Sequence, residues 1–353
     1  MKQPLKKNCH TSLDRRLHVS YPLLVILSAA IVVLVLLVSL SVGRYQIPFS
    51  KTLGILFSRV FSGIDQTWTN LESSVVWSFR LPRSLCAIMV GAALALSGAA
   101  YQSIFKNPMC SPDLLGVSSG ACVGAASAIL LGIGSVGIQT FAFVGGIAAV
   151  FITVLIPRLM RRSSTTILIL AGVVVSSFMS SVLSYLKFIA DADTQLAEIT
   201  YWTMGSFADV KYSVMLPVLP TVLIPMALIL LMRYRLNVLS LGDSEARTLG
   251  IDLRLTRGIF ILCATLITAG CVCMCGTVGW VGLVIPHTAR LLVGADNKKM
   301  LPISMLFGSI FMLLIDILCR TLTAQELRLG IFTGLVGAPF FVFILVRQRR
   351  VLT

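Results

Sequence analysis

Uncharged apolar runs separated by short polar corners occupy almost the whole chain. A spanning helix needs about 20 mainly apolar residues, so run length predicts the crossings. The first run, Val19 to Gly43, follows a basic tail (residues 1–18) with Lys2, Lys6, Lys7, Arg15 and Arg16. A cleaved leader also begins this way, but this run is too long and lacks a clear small-residue cleavage site, so it reads as a retained span. Arg44 to Phe79 reads as an amphiphilic loop. Ser84 to Phe105 is the second span, and its Gly91, Ala92, Ala95, Gly98 and Ala99 permit close helix contact.

The 44-residue run Leu114 to Pro157 is too long for one crossing and predicts two, turning near Gly132 to Gly137. Ser163 to Leu186 and Tyr212 to Met232 are single crossings, with a polar stretch carrying Asp191, Asp193 and Glu198 between them. Gly276, Gly279 and Gly282 break the run Gly258 to Pro286 into two crossings ending near Arg290. Met300 to Cys319 and Leu329 to Val346 complete a count of ten. The fold class is therefore an all-α polytopic membrane protein, with a transmembrane domain over 19–346 and basic tails at 1–18 and 347–353.

Composition agrees: 57% of the 353 residues are hydrophobic and 12% charged, which excludes a soluble domain. With ten crossings, 20 of the 29 Lys and Arg residues fall on the side of the termini, and the positive-inside rule makes that side cytoplasmic. Topology and anionic headgroups account for the net charge of +15, so no nucleic-acid partner is needed.

The densest mixed-charge stretch is Leu241 to Gly250, LGDSEARTLG, within a polar segment at 236–257. Leu241, Glu245, Leu249 and Asp252 fall at helical spacing between punctuating glycines. Two readings stand: a short helix lying against a partner, or a solvated loop. No Gly-Lys dipeptide occurs, so no phosphate-binding loop is present and any ATP chemistry belongs to another chain.

Chemistry-bearing residues are sparse. His10, His18 and His287 form no cluster, and Cys271, Cys273 and Cys275 alternate by two with no C-x-x-C spacing, so they read as packing residues rather than metal ligands. Asp316 is costly in lipid and should find a partner, with Arg320 one turn on. An intramembrane enzyme would need clustered His, Asp or Glu inside its spans; no catalytic set is assigned.

Six blocks in order carry a family resemblance: Arg80 to Ala121, Leu170 to Val173, Tyr201 to Phe207, LGDSEARTLG, Gly276 to Asp296, and Asp316 to Phe341. Together they resemble the FecCD family of ABC importer permeases, with the BtuC-like fold of type II importers. The resemblance implies that Leu241, Gly242, Ala246, Leu249 and Gly250, with Glu245 and Arg247 as polar contacts, form a coupling element for the ATPase. It implies that Arg80, Arg83 and Arg320 dock an extracytoplasmic binding protein; membrane-flanking arginines that merely snorkel are the alternative. Ser164, Thr165 and Thr166 match the inner gate, although such residues also serve as helix N-caps. The Pro286-His287 pair is structural in that family.

The implied assembly is a homodimer or a pair with a closely related permease, two ATPase subunits that hold the ATP and Mg, and a binding protein. The implied location is a bacterial or archaeal cytoplasmic membrane. The expected cargo is a ferric siderophore, with haem, cobalamin or an oxyanion open, and an ATP-independent channel or secondary transporter is the reading from outside the class. Two departures stand out: Lys106-Asn107-Pro108-Met109-Cys110 where the family has Arg-Asn-Pro-Leu-Ala, and Arg328 where it has proline before the last span.

Overall fold

The computed structural model describes residues 20–59, 61, 65–160 and 164–352. The tail at 1–18, Arg161, Arg162, Ser163 and the side chains of 347–353 lie outside the described residues, so their expected roles are not placed. Among the described residues the chain is helical, with no strand. In order the helices are α1 (Tyr21–Ser41), α2 (Phe49–Phe57), α3 (Asn70–Ser74), α4 (Leu81–Ile104), α5 (Val117–Leu130), α6 (Ser135–Leu159), α7 (Thr165–Ile189) and α8 (Gln195–Met204). They continue as α9 (Tyr212–Leu231), α10 (Arg233–Leu241), α11 (Asp243–Thr248), α12 (Leu253–Cys275), α13 (Val281–Val293), α14 (Asn297–Thr321) and α15 (Leu329–Leu352).

Seven helical stretches are long and apolar enough to cross a membrane, and three shorter apolar helices (α5, α13 and Leu329–Ile344 of α15) bring the described set to ten. The expected count is met, but the elements differ in length. The stretch expected to be an amphiphilic loop is partly helical: α3 continues through a π-helical turn, Val75–Arg80, directly into α4. A capping box starts it, Thr69 Oγ1 accepting from the Glu72 amide at 3.2 Å and Glu72 Oε2 accepting from the Thr69 amide at 2.8 Å. Ile47, Ile55 and Val76, with Trp68 alongside, seal α2 against this extension.

Small residues place α4 at the centre. A Cβ added at Gly91 would lie 2.1 Å from the carbonyl oxygen of Gly308 on α14, and one at Gly98 would lie 1.8 Å from that of Gly282 on α13. Backbones that touch in this way bury the uncharged stretch of α4 and let short side chains hydrogen-bond across helices. Ser97 meets Thr268 at 3.0 Å, and Ser103 donates to Asn297 at 3.0 Å.

Two of the ten helices are half-length. α5 has 14 residues and α13 has 13; at about 1.5 Å per residue each reaches about 20 Å, short of a hydrocarbon core about 30 Å thick. Non-helical backbone fills the difference. The Pro112–Leu115 3-10 turn sits against the middle of α7, where a Cβ on Gly172 would meet the Leu114 carbonyl oxygen at 2.1 Å. The 276–280 stretch is held against the end of α8. Thr277 Oγ1 donates to the Thr203 carbonyl at 2.6 Å, and the Ser206 amide donates to the Cys275 carbonyl at 2.8 Å. Irregular backbone survives at membrane depth only where protein covers it or a wet cavity adjoins it.

Candidate functional site: a charged knuckle, a buried arginine network and a seryl face

The knuckle is built from α10 and α11, joined at Gly242. Gly250, at φ 75°, supplies the left-handed turn that ends α11, where the Ile251 amide donates to the Ala246 carbonyl at 3.1 Å. Ala246 is fully buried and packs into the core that also holds Leu236, Leu239 and Phe260, whereas Glu245, Arg247 and Gly250 are exposed. Leu241 and Leu249 are 66% and 59% exposed, so the knuckle presents two large apolar side chains between charged ones. The solvated-loop alternative gives way to a short helix anchored by one small residue.

Ion pairs fasten it to the bundle. Arg257 of α12 donates to both carboxylate oxygens of Asp243, at 2.6 and 3.1 Å, and Lys106, just beyond α4, reaches the same carboxylate at 3.2 Å. The Arg257 hydrogen bonds, with Lys106 behind them, hold the Asp243 carboxyl below its usual range. Asn237 of α10 donates to Asp296 at 2.6 Å and accepts from the Asn297 amide at 2.8 Å, which ties α10 to the start of α14. Asp243, Arg257, Asn237 and Asp296 carry no sequence-level signal of this role beyond lying in polar corners, because their partners are distant in the chain.

The opposite end holds the three arginines read as docking residues, and their guanidinium groups turn inward. Arg80 is 6% exposed and donates to the carbonyls of Leu40 (2.7 Å), Ser41 (2.8 Å) and Tyr45. Arg320 is 5% exposed and donates to the Ser39 carbonyl and hydroxyl. The Ser39, Leu40 and Ser41 carbonyls among these acceptors are the unpaired carbonyls that end α1, as at every helix C-terminus. Arg83 donates through Nε to Asp316 at 2.7 Å and through Nη1 to Glu326 at 2.9 Å. Asp316 has the expected Arg320 at 3.5 Å and, unanticipated, Arg83 closer still.

Ser164 stands at the N-cap position of α7 but makes no side-chain cap hydrogen bond; it and Thr166 are exposed, and Thr165 is half-buried. α7 itself is the least buried of the seven long spans and shows Ser177, Ser180, Ser181 and Ser184 on its exposed surface among Val173, Phe178 and Tyr185. Sequence reading did not single out this seryl face; four hydroxyls at helical spacing in an apolar run were its signal.

The last span begins at Leu329 without a proline, its amide donating to the Gly205 carbonyl at 2.9 Å, and Arg328 stacks over the Tyr201 ring at 4.7 Å. His287 is buried and meets Phe341 edge-on at 6.0 Å. The described cysteines are all buried free thiols, and among the described residues no group of three or more His, Cys, Asp or Glu side chains is arranged to hold a metal ion.

This architecture has known counterparts. A solved structure of a metal-chelate type ABC transporter in an inward-facing conformation superposes with a TM-score of 0.83 at 34% identity, covering 93% of this chain and 100% of that one. The chain is 35% identical over 332 residues to the molybdate import system permease protein MolB of Haemophilus influenzae, covering 94% of this chain and 97% of the relative. It is 39% identical over 279 residues to a probable iron chelatin transport system permease protein of Helicobacter pylori, covering 79% and 84% respectively. Residues 31–347 match the FecCD transport family, and the chain, a ten-helix ABC importer permease of BtuC-like fold, belongs to it.

Proposed function

We propose that this permease passes an iron complex, a ferric siderophore first among them, from an extracytoplasmic binding protein to the cytoplasm, driven by ATP hydrolysis on a separate pair of ATPase subunits. The observation that carries the reading is the knuckle. It is an exposed α10–α11 pair pinned to α12 and the end of α4 through Asp243 and to α14 through Asn237. A force applied to Leu241, Glu245, Arg247 and Leu249 would reach three bundle helices through short polar contacts, which is what two-state coupling between distant sites requires.

The bias of basic residues puts the knuckle, both termini and the Ser164–Thr166 gate in the cytoplasm of a bacterial or archaeal inner membrane. The arginine network then lies at the extracytoplasmic end, and its three guanidinium groups, although turned into the bundle, outnumber the two carboxylates and leave a net positive field to steer an acidic binding protein. The seryl face of α7 is offered to a second copy of the chain, and the route runs between the two faces. Hydroxyls already bonded within the helix, such as Ser184 to the Ser180 carbonyl at 2.9 Å, make a wall that is wettable and weakly adhesive.

ATP-driven uptake into proteoliposomes holding the permease, its ATPase and its binding protein tests the reading. Replacing Glu245 and Arg247 together by alanine should abolish uptake while leaving the permease folded; unchanged uptake overturns the coupling assignment. Uptake that proceeds without ATP makes the protein a channel or secondary transporter instead.

A further inference from the structure

A pocket of about 300 Å³ opens where the broken helices meet, lined by Asp113, Ser118, Ser119, Cys122, Ser180 and Thr277. We propose that it is a transient cargo site for a ligand presenting positive charge or N–H and O–H donors, and that Asp113 sets this preference against oxyanions. The proposal rests on the permease reading and deepens it by naming a cargo chemistry.

The pocket joins three separate elements. Asp113 belongs to the 3-10 turn ahead of α5, Ser180 to the exposed face of α7, and Thr277 to the break between α12 and α13. Gly116, at φ 86°, turns the chain from the first of these into α5 and lies so close to Ser176 that a Cβ would meet its hydroxyl at 3.1 Å. The Ser118 hydroxyl donates to Asp113 Oδ1, which fixes the carboxylate in the cavity lining. Because Ser180 is exposed, the pocket opens onto the same face of α7 that is proposed to line the route.

Its charge is of one sign. The lining has one carboxylate, hydroxyls, a thiol and the apolar Leu183 and Val278, and no cationic side chain; Lys187, the basic residue of the last turn of α7, stands outside the lining but near enough to Cys122 to act on it electrostatically. A carboxylate within a membrane domain is costly to keep and marks a place where charge is used. Low-dielectric walls focus its field, concentrating cations and donor groups and excluding anions. At about 300 Å³ the volume is at the bottom of the range of about 300 to 1,000 Å³ for pockets that enclose drug-sized ligands, which suits a small cation or the edge of a larger complex. One charge and an open mouth give the weak binding that transit demands.

Charge-selective thiol labelling tests this in the full permease assembled with its ATPase in liposomes. The Ser180→Cys variant, corrected for the parent protein's own labelling, is treated with methanethiosulfonates bearing a trimethylammonium or a sulfonate group. Relative to their rates on a free thiol, the cationic reagent should react about tenfold faster, a modest effect for a focused field. Adding Asp113→Asn, which keeps an acceptor for Ser118 but removes the charge, should bring the ratio to within about twofold of unity. An unaltered ratio, equal or faster anionic labelling, or no labelling by either reagent overturns the site, and a purely helix-capping Asp113 would leave the ratio unmoved.

A second arm measures ATP-driven uptake of cationic ferrioxamine B, neutral ferrichrome and molybdate. Asp113→Asn should slow ferrioxamine B about tenfold if charge is read, and both hydroxamates alike if donors are read. Molybdate carried by the unsubstituted complex as fast as either hydroxamate overturns the cargo class. Absence of ATP-driven uptake of every probe overturns the permease–cargo reading alone, because the labelling arm still decides the charge preference of the pocket.

Discussion

Arg83 on α4 and Asp316 on α14 meet at 2.7 Å although 233 residues separate them in the chain. Asp316 is wholly buried and the Arg83 side chain is 11% exposed. Such a pair adds little over an apolar pair of the same shape, but removing one member leaves the other buried charge with its second partner alone, Glu326 for Arg83 or Arg320 for Asp316, at a cost below the figure of about 3–5 kcal/mol for a fully stranded charge. Arg83→Ala and Asp316→Ala should therefore each lower the thermal midpoint of the detergent-solubilised protein. The double variant Arg83→Met with Asp316→Leu should lose less than either. Additive losses would show that the pair is not coupled.

The contact between Gly91 and Gly308 makes a second, steric prediction. The methyl of Gly91→Ala would sit 2.1 Å from a backbone oxygen that cannot swing aside, so α4 and α14 must separate. The expected cost is about 1–3 kcal/mol or more. Gly258→Ala on α12 meets nothing within 4 Å and should instead stabilise by about 0.4–1 kcal/mol. Thermal midpoints that move in the same direction for both would remove the packing argument.

The Asp243 contacts give the knuckle a pH dependence with a definite sign. The folded-state carboxyl is held low, chiefly by Arg257, so its contribution is complete above the unfolded carboxylate value of about 3.9 and is lost as pH falls through the lower folded value. With the Asp243 side chain 50% exposed, solvent screening keeps that contribution below about 1 kcal/mol. Hydrogen exchange of the 243–249 amides, corrected for intrinsic rates, should show steady protection from neutral pH to about pH 5 and a decline in stronger acid. Asp243→Asn should lower protection at neutral pH and remove the acid step; a step that persists would assign it to another group.

Arg328 over Tyr201 replaces a rigid helix start with a cation–π contact, worth about 0.5–1 kcal/mol where partly exposed. A double-mutant cycle of Arg328→Ala and Tyr201→Leu, read by thermal unfolding, should return a coupling of that size. Zero coupling would leave the outer start of α15 held by the Leu329 to Gly205 hydrogen bond alone.

The ten apolar stretches and the break at Gly276 to Gly282 were legible in the residues, and at Leu241 to Gly250 a short helix was one of two readings. Each depends on local properties: the length of an uncharged run, the cost of glycine within a helix, the spacing of charges along a few turns. The buried cysteines followed from their spacing for a similar reason. Less legible was the helix running from Asn70 through α4, because its capping box and π-turn lie in a polar stretch that hydropathy reads as loop.

Apart from the Asp316–Arg320 pair, whose members sit one helical turn apart, tertiary structure decided what the charged groups do. Hydropathy marks Arg80, Arg83 and Arg320 as membrane-flanking cations, but the carbonyls of α1 and the carboxylate of Asp316 draw them inside, and those partners lie 39 to 281 residues away. Asp113 reads as one acidic residue in a corner until α5, α7 and the 276–280 break close around it. A charge is satisfied by whatever the fold brings within about 3 Å, and that is a property of the packed bundle rather than of any stretch of chain. Sequence alone determined that this chain is an all-helical membrane protein with about ten apolar segments and a charged corner between two of them, because the transfer of apolar segments out of water depends on the segments themselves. Which helices that knuckle is bonded to, and which cavity Asp113 lines, were decided by packing.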